Sequence, residues 1–120
     1  MNHTFSSPEI LQWLDSQNQP EYDNLPFGLV QMSHDGTIKN YNTEESKIAG
    51  VLRENAIGKN FFTQVAPCTN NFMVAEKFNT DQLDEEIDYM FTYITQPTKV
   101  RLRLIKNTGS EYQYIFVKKR

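Results

Sequence analysis

The chain has 120 residues, 38% hydrophobic and 12% aromatic, a length that fits one core of ordinary domain size and excludes a multidomain enzyme. Twelve Lys and Arg against fifteen Asp and Glu leave a net charge of -3, so no basic field is present to attract the phosphates of a nucleic acid. The single cysteine, Cys68, and the two histidines, His3 and His34, exclude an intramolecular disulfide and show no zinc-ligand spacing.

No apolar run approaches the ~20 residues needed to cross a bilayer. Residues 1–4 lack the cationic start and apolar stretch of a signal peptide, so a cytoplasmic protein without a membrane partner is expected. Ser6 and Glu9 fit a capping box with Pro8 in the first turn, and Ile10, Leu11, Trp13 and Leu14 form an apolar face, which predicts a short amphipathic helix. The polar run 15–24 reads as a connecting loop with at most one helical turn. Residues 27–33 and 37–41 flank His34, Asp35 and Gly36, the pattern of an antiparallel hairpin. Asn42 with Glu45 is a second capping signal, and Gly50 is placed to end the helix that follows. A further helical turn is expected over 53–56. Asn70 or Asn71 is a candidate cap for a longer helix through Val74, Ala75 and Phe78, fading over 80–86. Residues 87–94, 99–105 and 111–118 are rich in aromatic and β-branched side chains and read as three antiparallel strands, with a turn at 107–110 between the last two. Strict alternation over 100–104 puts Val100, Leu102 and Leu104 inside and Arg101 and Arg103 in water. Two strands, a block of short helices and three more strands give an α+β fold. One five-stranded antiparallel sheet with short helices on one face accounts for every element. Residues 1–24 are expected to form a helical cap on a core of residues 25–120, one domain in all.

Few residues stand out chemically. Cys68 follows Pro67 and precedes a predicted helix start, which suits either a buried structural thiol or a modified one. Tyr41 and Glu45 are four apart across a strand end and a first helical turn; the ordinary reading is a half-buried aromatic and a capping or solvated carboxylate. Tyr89, Phe91 and Tyr93 alternate on one strand face, as core residues or as the wall of a pocket. The histidines read as solvated, and no Ser-His-Asp set or phosphate-binding glycine loop is legible.

Tyr41-Asn42-x-x-Glu45, Ile57-Gly58-Lys59-Asn60-Phe61-Phe62 and Val65-Ala66-Pro67-Cys68-Thr69, followed by Phe91-x-Tyr93-x-x-x-Pro97-Thr98-Lys99-Val100 and Phe116-Val117-Lys118, closely resemble the photoactive yellow protein family, bacterial photoreceptors with a PAS-type fold. The resemblance covers nearly the whole chain. It implies a blue-light sensor without enzymatic turnover, carrying 4-hydroxycinnamic acid (p-coumaric acid) as a thioester on Cys68. It further implies that Tyr41 and Glu45 hydrogen-bond the phenolate, and that Ala49, Val51, Phe61, Pro67, Phe91, Tyr93 and Thr95 line the pocket. A phenolate in an apolar pocket requires strong donors in place of water, and Glu45 donates only if protonated. Burial and the repulsion of two close anions both favour that form. Light would then isomerise the pigment, Glu45 would give up its proton, and the buried carboxylate would loosen the N-terminal cap as a signal to a downstream protein. The chain is expected to act as a monomer.

Three positions depart from the family pattern. Ala49, Val51 and Thr95 stand where the family commonly has threonine, arginine and methionine, and the segment between Cys68 and Tyr89 is shorter. Two other readings compete: an unpigmented PAS-like module for a ligand or partner, and a thiol enzyme or redox switch at Cys68. The second lacks both a nearby histidine and a resolving cysteine.

Overall fold

The computed structural model describes residues 3–92 and 96–120. In chain order the elements are α1 (Leu11–Asp15), α2 (Gln19–Tyr22), β1 (Gly28–Ser33), β2 (Ile38–Tyr41), α3 (Thr43–Ala49) and α4 (Arg53–Ala56). Three short helical turns follow (Phe61–Val65, Pro67–Thr69 and Ala75–Phe78), then β3 (Gln82–Phe91), β4 (Thr98–Asn107) and β5 (Tyr112–Lys119). The five strands form one sheet in the order β2-β1-β5-β4-β3, antiparallel throughout.

Local chemistry accounts for the first hairpin. Asp35 Oδ1 accepts hydrogen bonds from Ser33 Oγ at 2.5 Å and from the Thr37 amide at 2.9 Å. Gly36 supplies the left-handed residue at φ +93°. Asn42 then caps α3 by accepting from the Glu45 amide at 3.0 Å, and Gly50 closes that helix at φ +70°.

Alternation along the strands divides the apolar residues between two faces. Val30, Met32, Val100, Leu102, Leu104, Ile115 and Val117 meet the helical block. On the opposite face Leu29, Ile105, Tyr114 and Phe116 are covered by Phe5, Ile10, Leu14 and Tyr22 from the N-terminal segment. The sheet is therefore covered on both sides over β1, β5 and much of β4, while most of β3 stays partly or fully exposed. No described helix is long and apolar enough to cross a membrane.

Several expectations are corrected. The Ser6–Glu9 capping box does not form: Ser6 Oγ donates to Glu86 at 2.7 Å, Glu9 lies at φ +53°, and α1 starts without a side-chain cap. No long helix follows Asn71. Its Oδ1 accepts from the Met73 and Val74 amides at 2.9 and 3.1 Å, but only one 3₁₀ turn forms before β3 begins at Gln82, well ahead of residue 87. The acidic run 84–88 is strand because β4 lies opposite with its cations: Arg103 pairs with Asp84, and Arg101 with Glu86 and Asp88. Nor is Arg103 in water. It is 4% exposed, grips Asp84 through Nε and Nη2 at 2.8 and 2.9 Å, and donates to the carbonyls of Phe5 and Ser7 at 3.1 and 2.7 Å. Its guanidinium also lies over the Phe116 ring, 5.6 Å from the centroid. Finally, His3 is half-buried and stacks on Trp13 at 4.0 Å.

Arg103 thus ties the start of the chain to the sheet. Arg103→Ala is expected to cost about 1.5–3 kcal/mol, the range for lost charge-assisted hydrogen bonds, and to expose residues 3–14 to proteases well before the sheet unfolds. Denaturant titration with limited proteolysis checks this. Unchanged cleavage of the N-terminal segment would show that apolar packing alone holds it.

Candidate functional site

The site is assembled where β2 hands over to α3. Asn42, fully buried, uses its whole amide at this corner. Its Oδ1 accepts from the Leu29 and Glu45 amides at 2.9 and 3.0 Å, and its Nδ2 donates to the Tyr22 and Phe27 carbonyls, both at 2.9 Å. The start of α3 is thereby fixed to β1, and Glu45 in the first turn faces the sheet at Gly28. A Cβ at residue 28 would lie 2.5 Å from Glu45 Oε1 and 3.1 Å from Glu45 Cα. Only glycine permits so close an approach.

Tyr41 and Glu45 are both fully buried. The Tyr41 hydroxyl and both Glu45 oxygens have no hydrogen-bond partner among the described residues, although an unsatisfied buried polar group costs about 1–3 kcal/mol. Burial pushes the Glu45 carboxyl from 4.5 up to about 8. Burial first, and the nearby Glu45 charge second, hold the Tyr41 hydroxyl far above the ordinary tyrosine range. Burial thus favours the protonated form of both groups inside an apolar surround. The ordinary sequence reading, a half-buried tyrosine beside a capping or solvated carboxylate, does not hold here.

Cys68 sits in the turn Pro67–Thr69, directly after the turn Phe61–Val65. Asn60 starts the earlier turn by accepting from the Phe62 and Thr63 amides at 2.9 and 3.1 Å. The Cys68 carbonyl accepts from Tyr89 Oη at 2.5 Å and from Asn71 Nδ2 at 2.9 Å, and Asn71 Nδ2 also donates to Tyr89 Oη at 2.7 Å. The thiol-bearing residue is thus held by its backbone. Half-buried Cys68 packs against the same apolar cluster that contains Tyr41, Phe61 and Phe91.

Among the other candidates, Ala49, Phe61 and Phe91 are buried, Val51 is half-buried against that cluster, and Pro67 is exposed. Tyr93 and Thr95 lie outside the described residues. Sequence reasoning missed Gly28 and the structural part played by Asn71 and Tyr89. A glycine opening an otherwise apolar strand is the available signal for the first. The second pair come together only in the folded chain.

No protein-family model matches the chain. It is 32% identical over 119 residues to the photoactive yellow protein of Rhodothalassium salexigens, covering 96% of this chain and 95% of that protein. It is 33% identical over 119 residues to the photoactive yellow protein of Halochromatium salexigens, with the same coverage. Among solved structures, the photoactive yellow protein domain of the sensor histidine kinase Ppr from Rhodospirillum centenum superposes with a TM-score of 0.82 at 35% identity, over 90% of this chain and 98% of that one. Similarity at this level over almost the full length of each, on one shared five-stranded architecture, shows that the chain belongs to the photoactive yellow protein family of PAS-fold photoreceptors.

Proposed function

We infer that this chain is a blue-light photoreceptor that carries p-coumaric acid as a thioester on Cys68 Sγ, with Tyr41 and Glu45 as donors to its phenolate oxygen. One observation carries the reading: the buried Tyr41 hydroxyl and Glu45 carboxyl, without hydrogen-bond partners among the described residues, stand at the apolar cluster that includes Tyr41 and against which the only cysteine packs. Such a pair suits an anionic oxygen delivered on an otherwise flat, apolar body. When bound, the group supplies a visible absorber whose double bond isomerises from trans to cis in light.

The work of the chain's own residues follows from their surroundings. Cys68 Sγ makes the covalent link, while Tyr89 and Asn71 fix its backbone. Tyr41 donates in the dark state and keeps its proton, because burial and the neighbouring carboxyl both oppose ionisation. Glu45 donates as a neutral acid and is the group able to release a proton. An ionised Glu45 has no cationic partner among the described residues, so the packing around α3 must open to admit water. We assign the output to release of residues 1–24 from the core, presented to a downstream signalling protein in the cytoplasm. On this reading the chain is a sensor without turnover.

The direct experiment mixes the unpigmented protein with an activated p-coumaric ester and records intact mass and visible absorption. A single adduct and a light-bleachable visible band are expected, and Cys68→Ser is expected to show neither. A stable adduct on Cys68→Ser would refute the assignment of the link.

Glu45 also sets a pH dependence in the unpigmented protein. Its folded pKa, about 8, lies above the unfolded value near 4.5, so the folded state binds the extra proton between these limits. The carboxyl's contribution is complete below pH 4.5 and is lost as pH rises toward 8. Glu45→Gln is expected to flatten this part of the stability profile. Parallel profiles from pH 4.5 to 8 in the two proteins would mean that Glu45 is not buried as an acid.

Gly28→Ala is expected to cost about 1–3 kcal/mol by overpacking and to displace the Glu45 carboxyl, so that reconstituted pigment absorbs at a changed wavelength. An unshifted band would show that α3 gives way without moving the donor.

A further inference from the structure

β2 is an edge strand, and Tyr41 turns its backbone N–H and C=O away from β1 to an edge that another strand would ordinarily cover. Two side chains cover it instead. Arg53 of α4 donates from Nε to the Tyr41 carbonyl at 2.7 Å. Gln19 of α2 lies against the same peptide groups, its Nε2 3.4 Å from the Tyr41 carbonyl and its Oε1 3.4 Å from the Tyr41 amide. Both converge on Asp23 at the end of α2. Asp23 Oδ1 accepts from Arg53 Nη2, from Gln19 Nε2 at 3.1 Å and from the Thr43 amide at 2.9 Å. The Arg53–Asp23 pair is about two-thirds buried, with side-chain exposures of 35% and 27%.

We propose that Arg53 is a positioning residue that, bridging Asp23 and the Tyr41 carbonyl, makes release of α2 and displacement of Tyr41 a single event. The link from the N-terminal segment to the donor strand is polar and geometrically exacting. A planar guanidinium reaches a carboxylate and a carbonyl at once, which an ammonium on a flexible stem does not. The holds at Arg103 and at Asp15 with Tyr114 (2.7 Å) lie on the far face of the sheet, whereas Asn42 and Thr43 tie Tyr22 and Asp23 to the start of α3 rather than to Tyr41. Two links join the proposed signal segment to Tyr41 itself, the long 3.4 Å contacts of Gln19 and the Arg53 bridge, and the bridge has the shorter bond to the carbonyl, at 2.7 Å. The optical significance of this bridge rests on the photoreceptor reading, but the mechanical coupling does not.

The test uses the full, unpigmented chain and amide hydrogen exchange resolved by residue. Arg53→Gln and Asp23→Asn are each expected to accelerate exchange about tenfold at Tyr41 and over residues 19–24 together, the loss of roughly one charge-assisted hydrogen bond, with the centres of β4 and β5 unchanged. The double variant should be no faster than either single one, because both break one bridge. Arg53→Lys should fall between wild type and Arg53→Gln. Acceleration at 19–24 with Tyr41 still protected, additive effects in the double variant, or wild-type exchange in Arg53→Lys would each overturn the proposal. If Arg53→Gln does not fold, Asp23→Asn decides the matter from the other end of the bridge. In the pigmented protein Arg53→Gln should also change the pH at which the phenol titrates. Failure of pigment attachment would strike that arm alone and would count against the photoreceptor reading instead.

Discussion

A carboxyl that burial favours in its neutral form and a phenol, both set into hydrocarbon without hydrogen-bond partners among the described residues, impose the constraint on which this fold turns. Each group gives up hydration that no described residue replaces, and the surrounding residues are arranged to hold them there regardless. Asn42 spends all four of its hydrogen-bonding positions locking α3 to β1. Gly28 leaves the room that Glu45 occupies. Buried, unpaired donors are retained at a cost to stability, and on the proposed reading that cost is offset by an anionic ligand oxygen that only such donors suit.

The two faces of the sheet divide the labour. One face carries the apolar cluster, with Tyr41 at one border and Cys68 packed against it. The other is covered by the N-terminal segment, whose attachments combine aromatic packing of Phe5, Phe27 and Phe116 with polar ties at Arg103, Tyr114 and Asp23. Ties of this kind are cheap to break once water reaches them. On the proposed reading the same feature suits the segment to conditional release, with the β2 edge as the route by which a change at Glu45 would reach it.

How much of this was legible in the sequence depended on how local each cause was. The hairpin at Gly36, the Asn42 cap, the Gly50 stop and the inward alternation of Val100, Leu102 and Leu104 are fixed by neighbours within a few residues, and all appear as read. The acidic run 84–88 misled because four carboxylates in five residues favour a solvated segment unless cations lie across the ladder, and Arg101 and Arg103 are distant in sequence. Arg103 itself was misassigned by alternation, since the face opposite the core is solvent only when nothing covers it. At the site, the spacing of Tyr41 and Glu45 said little. The family resemblance singled them out, and the burial that makes Glu45 an acid became visible only with β1 laid against α3. Gly28 carries only the weak signal of a glycine opening an apolar strand, while Tyr89 and Arg53 act through contacts with residues distant in sequence.

Two departures from the family pattern now have surroundings. Ala49 is buried, and Val51 is half-buried against the apolar cluster, with its carbonyl accepting from Ser46 Oγ at 2.7 Å. Neither adds a charge beside the donors, so the proposed chemistry rests on Glu45 being protonated by its surroundings alone. Light-minus-dark infrared difference spectroscopy of the reconstituted protein tests this most directly. The account predicts loss of a protonated-carboxyl band on illumination in the wild type and no such band in Glu45→Gln. The same band persisting in Glu45→Gln, or a wild-type spectrum without one, would contradict it.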